Sequence, residues 1–349
     1  MRLLVFSHRL DYTGAPLMLF RLVRRLAERH EVTLLLPSRP LAPTETLLEA
    51  YRELGIECME SVRLSRYDAA LANTLVAADL VGDLLGRIPI LWWIHEPASA
   101  QHYIDDGKCP PHLFGAVDRI VFPTRWQAEQ VFRPYLVRDN WAIVPYAIGT
   151  PRHVGPAPFE APPGTMTLVH LGTISRRKGQ DLSVLALERL DNPDIRLVLM
   201  GSLDEVPAFV GALHDRVAAS SRLSAAVTVM PQQPAELAMA WLAHADAVLV
   251  PTRDDLITLV ILEALLHRRC VIASDFGPIP ELIVHGETGL LSRTGQVAPL
   301  AENIDRAFRD PALRARLGAT GEARVLRDHD FDAHVARMEA ELTRVARRR

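Results

Sequence analysis

The 349-residue sequence is poor in cysteine, has no long apolar run and carries no large excess of charge. Its three cysteines, Cys58, Cys109 and Cys270, are an odd number with no C-x-x-C pair, so neither a disulfide framework nor a thiolate metal site is written into the chain. Reduced thiols in a cytoplasmic protein are expected. No uncharged apolar stretch approaches the ~20 residues that span a bilayer, and Met1 to Phe6 runs into turn residues too soon for a signal peptide. Any membrane contact is therefore expected to be peripheral, at the inner membrane surface. The formal net charge is -3 with 23% charged residues, which excludes charge-driven disorder and argues against nucleic acid as a partner. The loop after the first apolar run lacks G-x-G-x-x-G, so a dinucleotide is unsupported and no cofactor is expected.

What the chain does have is regular alternation. Hydrophobic residues make up 49% of a sequence too long for one ordinary compact domain, so two domains with separate cores are expected. Short β-branched runs alternate with amphipathic helical patterns throughout, the mark of an α/β protein with parallel sheets. Arg2–Phe6, Val32–Leu36, Ala69–Ala72, Ile90–Ile94, Arg119–Phe122 and Ala142–Val144 read as strands of a first domain over 1–150. Its first helix, from about Pro16 to Arg29, carries Leu19, Leu22, Val23 and Leu26 on one stripe. The aperiodic stretch Pro151 to Pro163, rich in Pro, Gly and Ala, reads as a linker. Thr167–Leu171, Arg196–Met200, Val227–Val229, Ala247–Val250 and Val271–Ala273 then build a second domain over 165–325. A last helix, about Phe331 to Arg344 within 331–349, is expected to pack back on the first domain. Such sheets bind ligands outside the carboxyl ends of their strands, so two facing sheets would share one site in a cleft.

Three segments carry chemistry. The first, Ser7 to Pro16, is a strand-to-helix loop in which Gly14 would let backbone approach an anion or a sugar hydroxyl; its bland reading is a turn that uses glycine for its conformation. The second, Leu168 to Asp181, places Arg176, Arg177 and Lys178 between a buried strand and a helix start, where they could neutralise a departing diphosphate. A solvated basic turn is the bland alternative. The third runs from Val248 to Leu265, then Val271 to Ile283 and His285 to Leu291. Within it, Glu263 lies in an otherwise apolar helix, where a carboxylate needs a partner: Arg253, His267 or a pair of ribose hydroxyls.

With Pro251-Thr252, Asp255 and Glu263 separated by seven residues, Val271-Ile272-Ala273-Ser274, Pro280-Glu281-Leu282-Ile283 and Thr288-Gly289-Leu290-Leu291, the chain resembles the retaining glycosyltransferases of family 4, or glycosyltransferase group 1. The match runs from about Leu168 to Leu291 and, more weakly, through Thr13-Gly14-Ala15 and Trp93-Ile94-His95-Glu96. The resemblance implies a GT-B fold: two Rossmann-like domains, acceptor on the first and nucleotide sugar on the second. It implies transfer of a sugar from a UDP- or GDP-linked donor to a sugar, glycan, lipid or small-molecule acceptor, with no metal. His95, Lys178 and Asp255 would be catalytic. Gly14, Gly172, Thr173, Arg177, Lys178, Gly201, Asp255, Leu256, Ile257, Thr258, Leu259 and Glu263 would bind the donor, with Glu263 on the ribose and Asp255 on the sugar. The chain departs from the pattern at Asp255, where many members have Glu, at Thr173, where many have Arg, and at Leu256-Ile257-Thr258, which replaces a small Gly-Phe-Gly type segment.

Rival readings are a nucleotide-sugar epimerase, for which Glu96 is the only obvious N-terminal carboxylate, and a nucleotide-sugar-binding pseudoenzyme. Two patterns read as decoys. Asp328-His329-Asp330 resembles a metal-binding Asp-x-Asp but immediately precedes a helix, where acidic residues suit the dipole. Arg21, Arg24, Arg25, Arg29, Arg344, Arg347, Arg348 and Arg349 could touch anionic lipid, but a solvated helix face and tail is the simpler reading. Trp92 and Trp93 suit core packing, and Tyr103 is a candidate for stacking on an acceptor.

Overall fold

A computed structural model of the chain describes residues 1–12, 14–42, 45–149, 154–256 and 259–347. Thr13, Pro151, Ile257, Thr258, Arg348 and Arg349, all named above, lie outside the described residues. The chain divides into two units, Met1–Tyr146 with Phe331–Arg349, and Ala147–Asp330.

In the first unit β1 (Arg2–Ser7), β2 (Glu31–Leu35), β3 (Glu57–Met59), β4 (Ala69–Asn73), β5 (Ile90–Trp93), β6 (Arg119–Phe122) and β7 (Trp141–Ile143) form a sheet in the order β3-β2-β1-β4-β5-β6-β7. Every pairing is parallel. Strands covered on both faces must be apolar throughout, and β4 and β5 are buried at every position. The order reverses between β1 and β4, and ligands bind parallel sheets at such switch points.

The second unit repeats the plan with β8 (Met166–Leu171), β9 (Ile195–Met200), β10 (Val227–Met230), β11 (Ala247–Val250), β12 (Cys270–Ser274) and β13 (Leu290–Ser292), ordered β10-β9-β8-β11-β12-β13. These pairings are also parallel, and the switch point lies between β8 and β11. The sequence pattern misses β3 and β13. Both have three residues and lie at a sheet edge.

Long-range contacts assign roles that periodicity leaves open. The segment after residue 153 is docked on its own unit: Phe159 stacks on Trp241 with ring centroids 4.7 Å apart, and the Gly155 carbonyl lies 3.0 Å from His244 Nε2. The terminal helix Phe331–Ala346 belongs to the first unit and buries Phe331, His334, Val335, Met338, Leu342 and Val345. Full burial is worth about 1.5–3 kcal/mol for each large apolar side chain. Ion pairs then fix its register. Arg25 of the helix Gly14–Leu26 meets Asp332 at 2.8 Å, and Arg29 meets Glu339 at 3.1 Å. Those two arginines, read above as part of a solvated face, stay partly exposed and also pair with the terminal helix. No helix among the described residues is long and apolar enough to cross a membrane.

Candidate active site

In the second unit the residues after β8 and β11 are laced together across the switch point. The Arg177 carbonyl accepts from the Arg253 N–H at 2.8 Å and from the Thr252 hydroxyl at 2.9 Å. Arg253 donates to the Arg176 carbonyl at 2.7 Å and clamps both oxygens of Asp181, at 2.8 and 2.7 Å. Such a bidentate pair fixes orientation as well as position. The backbone of the basic turn is therefore anchored to the loop after β11, while the Arg176 and Arg177 side chains stay exposed.

Two glycines make the close approach possible. Gly179, with φ +82°, precedes the helix Gln180–Leu190; a Cβ there would lie 2.2 Å from the Pro251 carbonyl oxygen. A Cβ at Gly201 would lie 2.0 Å from the Gly172 oxygen. Gly172 itself, at φ +141°, has the Lys178 stem lying over it. Thr173 is half-buried, and its hydroxyl lies 3.4 Å from Glu205.

Three predicted residues meet here. The Lys178 ammonium is bonded to Asp255 Oδ2, and Arg177 lies 3.4 Å from Asp255 Oδ1. Asp255 also accepts from the Leu256 N–H at 2.9 Å. Lys178 is one of only two lysines in a chain with 39 basic residues, and a lysine is a compact charge that rotates toward whichever anion is present. Glu263 sits half-buried in the helix Leu259–Leu266, which begins with Leu259. Arg253 is engaged with Asp181, and His267 Nε2 has no hydrogen-bond partner among the described residues.

The first unit gathers a second set of groups. His95 follows β5 and is 7% exposed. Burial, with the neighbouring His8 and His334 rings disfavouring a further positive charge, pushes its pKa well below the usual imidazole range, so the ring is neutral. Its Nδ1 is bonded to the Tyr146 hydroxyl, the two rings stack at 5.5 Å, and its Nε2 has no hydrogen-bond partner among the described residues. Trp93 forms the wall behind it at 4.3 Å, and His334 of the terminal helix backs Trp93 at 5.6 Å. Both tryptophans are fully buried, so they pack and do not stack on ligand. Glu96 accepts from the His95 N–H at 2.9 Å and from the Leu75 N–H, and burial raises its pKa to about 7. Its oxygens serve the backbone, which leaves the epimerase reading without a free carboxylate at this position.

Gly14 opens the helix Gly14–Leu26, has no left-handed φ, and a Cβ there would meet nothing within 4 Å. Its conformation does not require glycine, contrary to the bland reading of that turn. Two side chains that the sequence reading leaves unassigned, His8 and Thr74, lie at the switch point of this unit, their polar atoms 2.9 Å apart. His8 stands at a strand end as His95 does, the one signal that would have singled it out. Beside it is a pocket of about 920 Å³ whose lining includes Phe6, Leu35, Leu80, His8, Arg39 and Tyr103, together with charged residues such as Asp79 and Arg87.

The Asp-x-Asp lies elsewhere. Asp328 ends the helix Pro311–Asp328, and the Arg327 guanidinium, 2.7 Å away, holds its carboxyl below the usual range. Asp328 closes that helix, while Asp330 directly precedes the helix Phe331–Ala346 and Asp332 lies in its first turn, where acidic residues suit the dipole. No cluster of three or more His, Cys, Asp or Glu suited to a metal occurs among the described residues.

Comparison with known proteins agrees with this layout. Residues 1–135 match the glycosyl-transferase family 4 and residues 156–324 the glycosyl transferases group 1. A D-inositol 3-phosphate glycosyltransferase of Pseudarthrobacter chlorophenolicus is 33% identical over 46% of this chain and 39% of its own length. Another, of Arthrobacter sp. (strain FB24), is 31% identical over 81% of this chain and 72% of its own. The chain thus spans well under half of the first relative's length and nearly three quarters of the second's. Anabaena HepE, solved in complex with UDP and glucose, shares the fold with a TM-score of 0.81 at 18% identity, over 98% of this chain and 99% of that one. A GT-B architecture built on these residues and relatives of this kind make the chain a member of the family 4, group 1 glycosyltransferases.

Proposed function

We propose that the chain moves a sugar from a nucleotide diphosphate donor, UDP- or GDP-linked, to an acceptor hydroxyl with retention of anomeric configuration. The observation that carries this reading is the meeting of Lys178, Arg177 and Asp255 at the β8/β11 switch point, beside a helix N-terminus. Two cations beside a helix N-terminus suit a leaving diphosphate, and stabilising developing charge is usually the largest catalytic term. The carboxylate they hold would turn to hydroxyls of the sugar once phosphate takes its place. The leaving phosphate assists removal of the acceptor proton on the same face, with no covalent nucleophile. HepE was solved with UDP and glucose, and two relatives are D-inositol 3-phosphate glycosyltransferases. UDP-glucose with polyol acceptors is therefore the first combination to try. Release of UDP coupled to an α-linked product, read by NMR, is the expected result. Donor binding without hydrolysis or transfer to any acceptor would favour the pseudoenzyme instead.

Glu263 and Asp255 should separate kinetically. Glu263 on the ribose supplies uniform binding, so Glu263→Gln should raise the donor KM and weaken free nucleotide by about tenfold. Asp255 on the sugar acts as charge develops, so Asp255→Asn should chiefly lower kcat and spare nucleotide affinity. Equal weakening of free nucleotide by both variants would remove Asp255 from the sugar side.

Activity should also survive EDTA, because Lys178 and Arg177 take the place a divalent cation has elsewhere, and Asp328 is spent on Arg327. Complete loss on chelation, reversed by Mn²⁺, would overturn that assignment.

A further inference from the structure

Thr74 has φ +76° and ψ 159°, a conformation that belongs almost entirely to glycine, yet it is a β-branched residue at the tip of β4. Strain of this kind persists only where the surroundings over-determine it, and it concentrates at functional sites. Here the surroundings are explicit. The Thr74 N–H donates to the Trp93 carbonyl at 2.8 Å, and its carbonyl accepts from Trp92 Nε1 at 2.7 Å. Both partners are on β5, so the backbone is tied to one neighbouring strand. The side chain reaches to the other, where its hydroxyl lies 2.9 Å from Nδ1 of His8, the residue following β1. One position below, Asn73 bonds the Ser7 hydroxyl at 3.1 Å, so the two strand ends cannot spread.

The hydroxyl therefore fixes the His8 ring at the switch point of the first sheet, where the sheet order reverses. That contact uses Nδ1, and the ring lines the 920 Å³ pocket. Burial, joined by the charge of Arg9, lowers its pKa to about 4, so it is an uncharged imidazole at neutral pH. Arg39, in the same lining, is committed to Glu45 through two bonds of 2.7 Å and also bonds the His8 carbonyl. A neutral ring nitrogen in a pocket lined by both apolar side chains (Phe6, Leu35, Leu80) and charged ones (Arg9, Asp79, Arg87) suits a carbohydrate or cyclitol ring, which has apolar C–H faces and hydroxyl edges.

We propose that His8 is a substrate-contacting residue, binding a hydroxyl of a polyhydroxylated acceptor ring through Nε2, and that Thr74 is the positioning residue that aims it. The assignment deepens the transfer reading above and rests on it for the name acceptor, though ring binding is measurable without transfer.

The first test is ¹⁵N-histidine NMR of the whole chain titrated with D-glucose, N-acetyl-D-glucosamine and myo-inositol, without nucleotide. The His8 Nε2 resonance, assigned by its loss in His8→Gln, should shift with at least one ring; absence of a shift with all three overturns the proposal. The second uses UDP-glucose with the ring that shifts His8. Thr74→Val keeps shape and removes the hydroxyl, and should raise KM for the ring about tenfold while the donor KM moves less than about twofold. Thr74→Ser keeps the hydroxyl and should restore the acceptor KM. A purely structural threonine would alter both KM values together or neither, and either result removes the positioning role. If wild type shows the NMR shift but transfers from no nucleotide sugar, the transfer reading fails while ring binding by His8 stands.

Discussion

Replacement of Lys178 by methionine is expected to lower kcat by about 10²–10³-fold, as loss of one preorganised charge at a developing anion does elsewhere, equivalent to ~2.7–4 kcal/mol. The stem of Lys178 lies against Gly172 and its ammonium is bonded to Asp255. Methionine preserves the stem packing and removes only the charge. Arg177 remains 3.4 Å from Asp255, so the carboxylate keeps one cation and the fold should hold. The measurement is nucleotide release at saturating donor, beside the melting temperature and the affinity for free UDP. Affinity for UDP should fall much less than kcat, because charge on the diphosphate grows as the bond to the sugar breaks. A kcat within about tenfold of wild type would remove Lys178 from the transition state. Lys178→Arg should fall between the two, since a planar guanidinium cannot reproduce the rotation of an ammonium.

The second large effect is on stability. Arg119 of β6 has a side chain 8% exposed, and Glu341 of the terminal helix, 222 residues away, bonds it through both oxygens at 2.6 and 3.2 Å. Removing one partner of a buried pair leaves a charge without compensation, and Glu341→Ala should destabilise the first unit by about 3 kcal/mol. That is the low end of the range, because the Glu341 side chain keeps 15% of its exposure and water relieves part of the cost. For a unit of this size the melting temperature should drop roughly 6–12 °C. The double change Arg119→Met with Glu341→Leu should return much of the loss, since apolar groups of similar volume replace a buried pair at little cost. If Glu341→Ala melts within about 2 °C of wild type, the pair is not what holds the terminal helix. The helix also carries His334, which bonds the Pro145 carbonyl at 2.8 Å and backs Trp93. Loosening it should therefore disturb His95 as well.

The amino-acid sequence by itself determined the parallel α/β class and most of the strands, because a buried strand must be apolar at every position and the pattern is local. It also singled out two contiguous stretches, Gly172 to Gly179 and Pro251 to Glu263, which begin directly after β8 and β11. Only the tertiary structure decided which of these groups meet. Lys178 and Asp255 are 77 residues apart, His8 and Thr74 are 66 apart, and Arg119 and Glu341 are 222 apart. No periodicity encodes such pairings, since they follow from the order in which strands dock. The same holds for Arg25 and Arg29, whose spacing marks a polar helix face but whose partners, Asp332 and Glu339, come from the end of the chain. The strain at Thr74 was illegible for a related reason: a threonine in a β-like run reads as an ordinary strand residue. Its positive φ is imposed by hydrogen bonds from a neighbouring strand. Local sequence sets what each segment prefers; the packed sheet can hold one residue against that preference because several bonds oppose the strain of a single pair of dihedral angles.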